Sequence, residues 1–361
     1  MVVRKGSVVY QNICNSGKKG DMDIHAETIF PIWSMSKPIT IVAMMTLHEK
    51  GLVKWDDPVS KYIPCFGKLR VKNDGRIEPC KNTLTLMHLM THRSGYKYYG
   101  RQFLLDQGDG LGGASFNKPQ PNQIKYNNLD DFVRDAAAQP LEFEPGTRYL
   151  YGINQAILGR VIEVVSGQSF YDYLKHSIFD PLGMSNTKFH LTDEELKKFQ
   201  ILFINSGNLK GFTHLMDPVI TYAEGNGAHF GGEGLVSTLD DYARFCEMLV
   251  NGGLFRGRRI ISQVSIDAMT QLRSKPYPAE PAAFPELKGY AYGFSLFVLD
   301  DPQADNPQVP KGIFGWSGYH NTHFWIDPAN KMFGLFMTNA REYSWDIPLN
   351  MRKAVYGSPG H

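Results

Sequence analysis

Ser34-Met35-Ser36-Lys37 places a hydroxyl nucleophile and an amine three residues apart at what reads as the start of a helix. Three residues is close to one helical turn, so both groups share a face. The run from Pro38 to Leu47 is largely apolar, and Lys50-Gly51 marks its end. A serine at the N-terminus of a buried helix lies where free backbone N–H groups and the helix dipole favour developing negative charge. A lysine amine beside such a serine becomes a base when burial or a neighbouring cation lowers its pKa. The tetrad therefore points to covalent serine catalysis, against the alternative of an N-cap serine beside a lysine whose stem covers apolar surface. Ser16-Gly17-Lys18-Lys19 has the same spacing, but it lies in a polar stretch with no buried helix after it and reads as a solvated turn.

Two further segments carry residues that fit this chemistry. Glu144-Pro145-Gly146-Thr147-Arg148-Tyr149-Leu150-Tyr151 turns through Pro-Gly into an aromatic pair and then a helix. A phenol held near a lysine and a serine hydroxyl is able to accept the serine proton, and Tyr151 is the candidate, against an ordinary core tyrosine. Phe314-Gly315-Trp316-Ser317-Gly318-Tyr319 reads as a strand whose small residues let a substrate lie close to the backbone. Edge N–H groups there suit an oxyanion, against the alternative of a merely bulged strand.

The elements that must position these groups fall into two textures. Met1 to Tyr10 predicts a β-hairpin turning at Lys5-Gly6. From about Asp56 to Asp217 the pattern predicts helices over Leu84 to Met90, Leu129 to Ala138, Ile153 to Val165, Phe170 to Ile178 and Thr192 to Phe199, the last opening on a capping box. After Gly225 a helix is expected from Ser237 to Asn251, then strands over Gly293 to Leu299, Gly312 to Trp316, Thr322 to Ile326 and Met332 to Thr338. This order predicts an α/β (α+β) domain from residues 1–62 and 225–361, with a mainly helical domain, 63–224, inserted in it. Sites form in the crevice between two such parts. The polar segment Asp106 to Asn128 contains Gly108-Asp109-Gly110-Leu111-Gly112-Gly113, a dinucleotide-binding pattern by letter, but Pro119 and Pro121 follow where the helix should be. A loop near a cleft mouth is the expectation there.

Composition narrows the class without choosing the reaction. The 361 residues, 42% of them apolar, suffice for a large buried core. The 38 lysines and arginines nearly balance 36 acids and form no long basic block, which argues against nucleic acid or an anionic membrane as partner. Cys14, Cys65, Cys80 and Cys246 show no Cys-X-X-Cys pair, the pattern of reduced thiols. The start lacks a signal-peptide pattern and no window reaches the length of a membrane span, so a soluble, cytoplasmic protein is expected. His88 with His92, and His320 with His323, have metal-like spacing but lack acidic co-ligands, so no metal is expected. No Gly-X-Ser-X-Gly elbow is present, which removes the α/β-hydrolase reading.

Ser34 to Lys37, Tyr151 and Trp316-Ser317-Gly318, in this order and spacing, resemble the serine β-lactamase and penicillin-recognising superfamily, most closely its class C-like family VIII carboxylesterases. Supporting segments span nearly the whole chain: Trp55-Asp56-Asp57-Pro58-Val59, Leu89-Met90-Thr91-His92-Arg93-Ser94-Gly95, Gly231-Gly232-Glu233-Gly234-Leu235-Val236-Ser237-Thr238 and Phe324-Trp325-Ile326-Asp327-Pro328. The resemblance implies a β-lactamase-like fold, an antiparallel sheet flanked by helices, and no cofactor. It implies Ser34 as acylated nucleophile, Lys37 and Tyr151 as the paired proton-transfer groups, and the N–H groups of Ser34 and Tyr319 as oxyanion hole. Trp316, Ser317 and Gly318 would bind a small-molecule ester.

Three departures from the family pattern bear on substrate and assembly. Lactamases and carboxypeptidases of the superfamily usually place Lys or His first in the strand triad, to meet a substrate carboxylate, and this chain has Trp316. A tryptophan offers apolar area in place of charge, which suits an uncharged ester. Class C lactamases carry Asn two residues after the tyrosine, whereas here Ile153 stands there and Asn154 follows. Relatives usually have a helix before the first strand, while this sequence opens in that strand, and a bare apolar sheet face favours a homodimer. The expectation is a short-chain carboxylesterase. A β-lactamase, a D-amino-acid peptidase, an acyltransferase of the same fold and a catalytically silent scaffold are the alternatives.

Overall fold

The computed structural model describes residues 1–17, 22–98, 126–199, 201–205, 208–212, 222, 224–273, 287–339 and 344–357. Its centre is a seven-stranded antiparallel sheet made of β1 (Val2–Arg4), β2 (Ser7–Tyr10), β3 (Tyr290–Tyr292), β4 (Phe297–Leu299), β5 (Phe314–Ser317), β6 (His323–Asp327) and β7 (Met332–Phe336), in the order β3-β4-β5-β6-β7-β1-β2. The expected first hairpin turns at Lys5 (φ 51°) and Gly6 (φ 76°), the left-handed pair that matches strand twist in a two-residue loop. Val2 then pairs with Gly334 and Val3 with Phe333, which joins the two ends of the chain in one sheet.

Four helices carry or support the candidate residues: α1 (Ser36–Glu49), α2 (Leu86–Met90), α3 (Leu129–Ala138) and α4 (Asn154–Ser166). Every residue of α1 from Ser36 to Leu47 is buried. The helix touches α4, the segments Phe170–Leu174 and Lys175–Phe179, and the helix Gln263–Thr270, so it is apolar nearly all round instead of striped. Gly51, at φ 71°, turns the chain out of α1 where a terminator was expected. The capping box before Asp193–Lys198 is present, with Thr192 and Glu195 exchanging hydrogen bonds.

The differences from expectation have local causes. The single strand expected over Gly293 to Leu299 is a tight turn and a second strand, because Ser295 takes φ 52° and Tyr292 pairs directly with Phe297. Arg70–Asn73 and Arg76–Pro79 form a hairpin inside the region expected to be helical. Its strands are mostly polar and exposed, so they lack an apolar alternation, and the legible signal was Asp74-Gly75 at the turn. The helix Asp346–Tyr356 was also missed; Pro348 lies in its first turn, where no intrahelical N–H is needed. Lys18-Lys19 and most of Asp106 to Asn128, with its glycine pattern, lie outside the described residues. Asn128 itself caps α3 by accepting from the Asp131 N–H. No helix among the described residues is long and apolar enough to cross a membrane.

Gly334 faces Trp325 across the strands, and a Cβ there would lie 2.1 Å from the indole, whose Nε1–H is tied to the Tyr356 hydroxyl at 3.1 Å. Gly334→Ala is therefore expected to cost about 1–3 kcal/mol through overpacking. A urea unfolding curve reads this directly, and an unchanged midpoint would contradict the described register.

Candidate active site

The segment around Ser34 is set up by residues far away in sequence. Phe30–Pro31 pairs with Val236–Ser237, and the Ile32 N–H donates to the Leu235 carbonyl at 3.1 Å. Trp33 then adopts φ 45°, a left-handed conformation that a bulky residue rarely takes outside functional turns. Its indole lies edge-on to Tyr319, ring centres 5.7 Å apart, and against His320. Trp33–Met35 form a single 3₁₀ turn and α1 begins at Ser36, so Ser34 sits just before the helix instead of at its first residue.

One turn on, Lys37 reaches back under the serine. Its Nζ donates to Ser34 Oγ at 3.1 Å, to the Tyr98 hydroxyl at 2.6 Å and to the Gly232 carbonyl at 2.7 Å. Three bonds are all that an ammonium can donate. Glu233 adds a carboxyl oxygen 3.8 Å away, and both its oxygens lack a hydrogen-bond partner among the described residues. Burial pushes the Glu233 carboxyl up, opposed by the charge of Lys37.

Tyr151 donates to Ser34 Oγ at 2.7 Å. Its ring packs among His92 (4.8 Å between centres), Tyr98 (5.2 Å) and Trp316 (5.8 Å). His92 is buried, with φ 55°, and its Nδ1 meets Asn154 Nδ2 at 2.8 Å. The Asn154 carbonyl oxygen accepts from Ser94, so its amide donates to His92 and leaves that ring's proton on Nε2, facing Ser295 Oγ. Asn154 is thus turned into the core, away from the cleft. Burial, then the charge of Lys37, holds His92 well below the usual imidazole range.

Ser34, Tyr151, Trp316, Ser317, Gly318 and Tyr319 line one pocket of about 200 Å³, closed by Leu287, Phe297 and Trp345. No charged side chain lines it among the described residues. Trp316 is stacked on Phe297 and lies tilted against Tyr151, so it supports the phenol besides covering the pocket wall. Gly318 has a different reason from the one its sequence suggested. A Cβ there would lie 2.5 Å from the Ile32 carbonyl and 2.2 Å from Thr322 Oγ1, so its smallness lets β5 dock on the nucleophile segment.

The structure brings all the sequence-predicted residues to one place. Four neighbours were not foreseen as parts of the site: Tyr98, Glu233, His92 and Asn154. Tyr96, Tyr98 and Tyr99 stand close together in the sequence, and residue type alone does not tell them apart. Tyr96 is core, Tyr99 lies outside the described residues, and Tyr98 binds the lysine. For Glu233 the available signal was one acid among three glycines.

The sequence matches the Beta-lactamase family over residues 1–353, and the chain belongs to that family. It is 25% identical to the esterase EstB of Burkholderia gladioli over 375 aligned positions, covering 99% of this chain and 89% of that protein. It is 26% identical to the lovastatin esterase of Penicillium rubens, covering 89% and 81%. Among solved structures, EstCE1, described as a hydrolase with promiscuous acyltransferase activity, superposes with a TM-score of 0.78 at 23% identity, over 99% of this chain and 92% of that one. The protein is accordingly a serine hydrolase of the β-lactamase fold.

His92 and His323 are held well below their usual range by burial, and His229 is lowered to about 4 for the same reason. In the unfolded chain each takes up a proton near pH 6.5. Below that pH the unfolded state binds more protons, so stability is complete above about 6.5 and falls as pH drops. Each histidine contributes a slope of up to about 1.4 kcal/mol per pH unit. Urea midpoints at pH 7.5 and 5.0 check this: a marked fall is expected, smaller in His92→Gln, and a flat profile would contradict neutral burial.

Proposed function

We propose that the protein is a carboxylesterase that cleaves short-chain acyl esters through an acyl-enzyme on Ser34. The observation that carries this is Ser34 Oγ, bonded at 3.1 Å and 2.7 Å by Lys37 and Tyr151, opening into an apolar pocket. Ser34 Oγ attacks the ester carbonyl carbon and its proton passes to the Lys37–Tyr151 pair, which acts from the form of the cluster that lacks one proton, with Lys37 as amine or Tyr151 as phenolate. The carbonyl oxygen gathers negative charge against the N–H groups of Ser34 and Tyr319. As the tetrahedral intermediate collapses, the C–O bond to the alcohol breaks and the pair returns the proton to it. Water then attacks the acyl-serine carbonyl and gives its proton to the same pair, which returns it to Ser34 Oγ as the C–Oγ bond breaks and the acid leaves. Because Lys37, Tyr151 and Tyr98 share one hydrogen-bonded cluster, the proton belongs to the cluster and not to one group.

The uncharged pocket supports esters over penicillins, since a substrate carboxylate would find no cation among the lining residues described. Relatives named as esterases support the same choice. An alcohol in place of water would make the second half an acyl transfer, and EstCE1 is described as doing both.

Ser34→Ala is expected to lower hydrolysis of p-nitrophenyl butyrate by at least about 10³-fold while leaving the circular dichroism spectrum unchanged. Nitrocefin should be the poorer substrate of the wild-type protein. Near-normal ester hydrolysis by the variant, or a strong preference for nitrocefin, would overturn the reading.

A further inference from the structure

Ser317 ends β5 on the pocket wall, and directly across in β6 stands His323. Ser317 Oγ lies 2.7 Å from His323 Nδ1, its one hydrogen-bond partner among the described residues. His323 is 1% exposed and stacked on Phe297, with ring centres 5.8 Å apart at 14°, and Trp325 lies on its other flank. Its Nε2 meets no hydrogen-bond partner among the described residues. Burial disfavours the imidazolium, and the nearby Arg352 charge disfavours it further, so the ring is neutral and carries one N–H.

That proton has two places to go, and they differ in cost. On Nε2 it would leave a buried donor without an acceptor, an arrangement that folded proteins rarely tolerate. On Nδ1 it is donated to Ser317 Oγ, and what remains unpaired on Nε2 is only a lone pair. The second tautomer uses the serine oxygen as an acceptor, and the serine's own O–H is then left to point into the pocket.

We propose that His323 fixes Ser317 as a hydrogen-bond donor to substrate, so that the site favours esters carrying a second acceptor oxygen, an ether or keto group, beyond the scissile carbonyl. This rests on the esterase reading above and adds a polarity rule to an otherwise apolar pocket. His323 is a positioning residue, because it acts only through the hydroxyl.

The experiment has a spectroscopic and a kinetic arm. In protein labelled with ¹⁵N-histidine, a long-range ¹H–¹⁵N spectrum at pH 7 identifies His323 by its absence in His323→Phe. A neutral Nδ1–H ring is expected, and an Nε2–H ring or an imidazolium would overturn the proposal. The kinetic arm takes the ratio of kcat/KM for p-nitrophenyl 4-methoxybutyrate to that for p-nitrophenyl hexanoate, in wild type, Ser317→Ala and His323→Phe. Taking the ratio between variants cancels the esters' intrinsic reactivities. The preference for the methoxy ester should fall by about tenfold in both variants, and an unchanged ratio in both would also overturn the proposal. The spectrum reads the tautomer even if neither ester is hydrolysed, so a failure of the esterase reading is distinguishable from a failure of this one.

Discussion

Lys37 makes the largest energetic demand on the site, because its side chain is wholly buried. Taking an ammonium out of water costs several kcal/mol unless partners replace its hydration. The partners come from Ser34 one turn back, from Tyr98 and from the Gly232 carbonyl, 195 residues on, with the Glu233 carboxyl behind. The first turn of α1 is therefore tied to the segment 231–235 by more than the lysine. Thr40 Oγ1 donates to the Gly231 carbonyl at 2.7 Å, Ser36 Oγ accepts from the Leu235 N–H, and the Tyr242 hydroxyl donates to the Met35 carbonyl. Satisfying one buried amine thus draws together the strand, helix and loop that also place Ser34.

A second constraint is aromatic. Tyr151 presents its hydroxyl to Ser34, and its ring is held by packing. His92, bonded by Asn154, and Trp316 both pack against the ring, and Ser94 in turn bonds Asn154. Trp316 links this support to the sheet through Phe297, and Phe297 also covers His323. The strand that borders the pocket and the phenol that bonds Ser34 are consequently parts of one packed cluster. The Asn154 that stands one position later than in class C lactamases serves this cluster and does not face substrate.

Much of this was legible in the residues. The hairpin at Lys5-Gly6, α1, α3 and the late strands followed from periodicity and turn chemistry, and Ser34, Lys37, Tyr151 and the Trp316 strand from spacing and resemblance. What was not legible was non-local. No local pattern tells that Tyr98 bonds Lys37 and Tyr96 does not, since both sit in one aromatic run and only the fold distinguishes them. Glu233 and Asn154 are polar residues whose partners lie 196 and 62 positions away. The turn at Ser295 was hidden because a positive φ at a serine leaves no compositional trace.

The central claim is that the Lys37 and Tyr151 cluster activates Ser34 as the nucleophile. Treatment with a fluorophosphonate, followed by intact mass measurement and peptide mapping, tests it most directly. The account predicts a single adduct, located on Ser34, whose formation is lost in Lys37→Met while that variant remains folded. An adduct on any other serine, or no adduct on a folded wild-type protein, would contradict it.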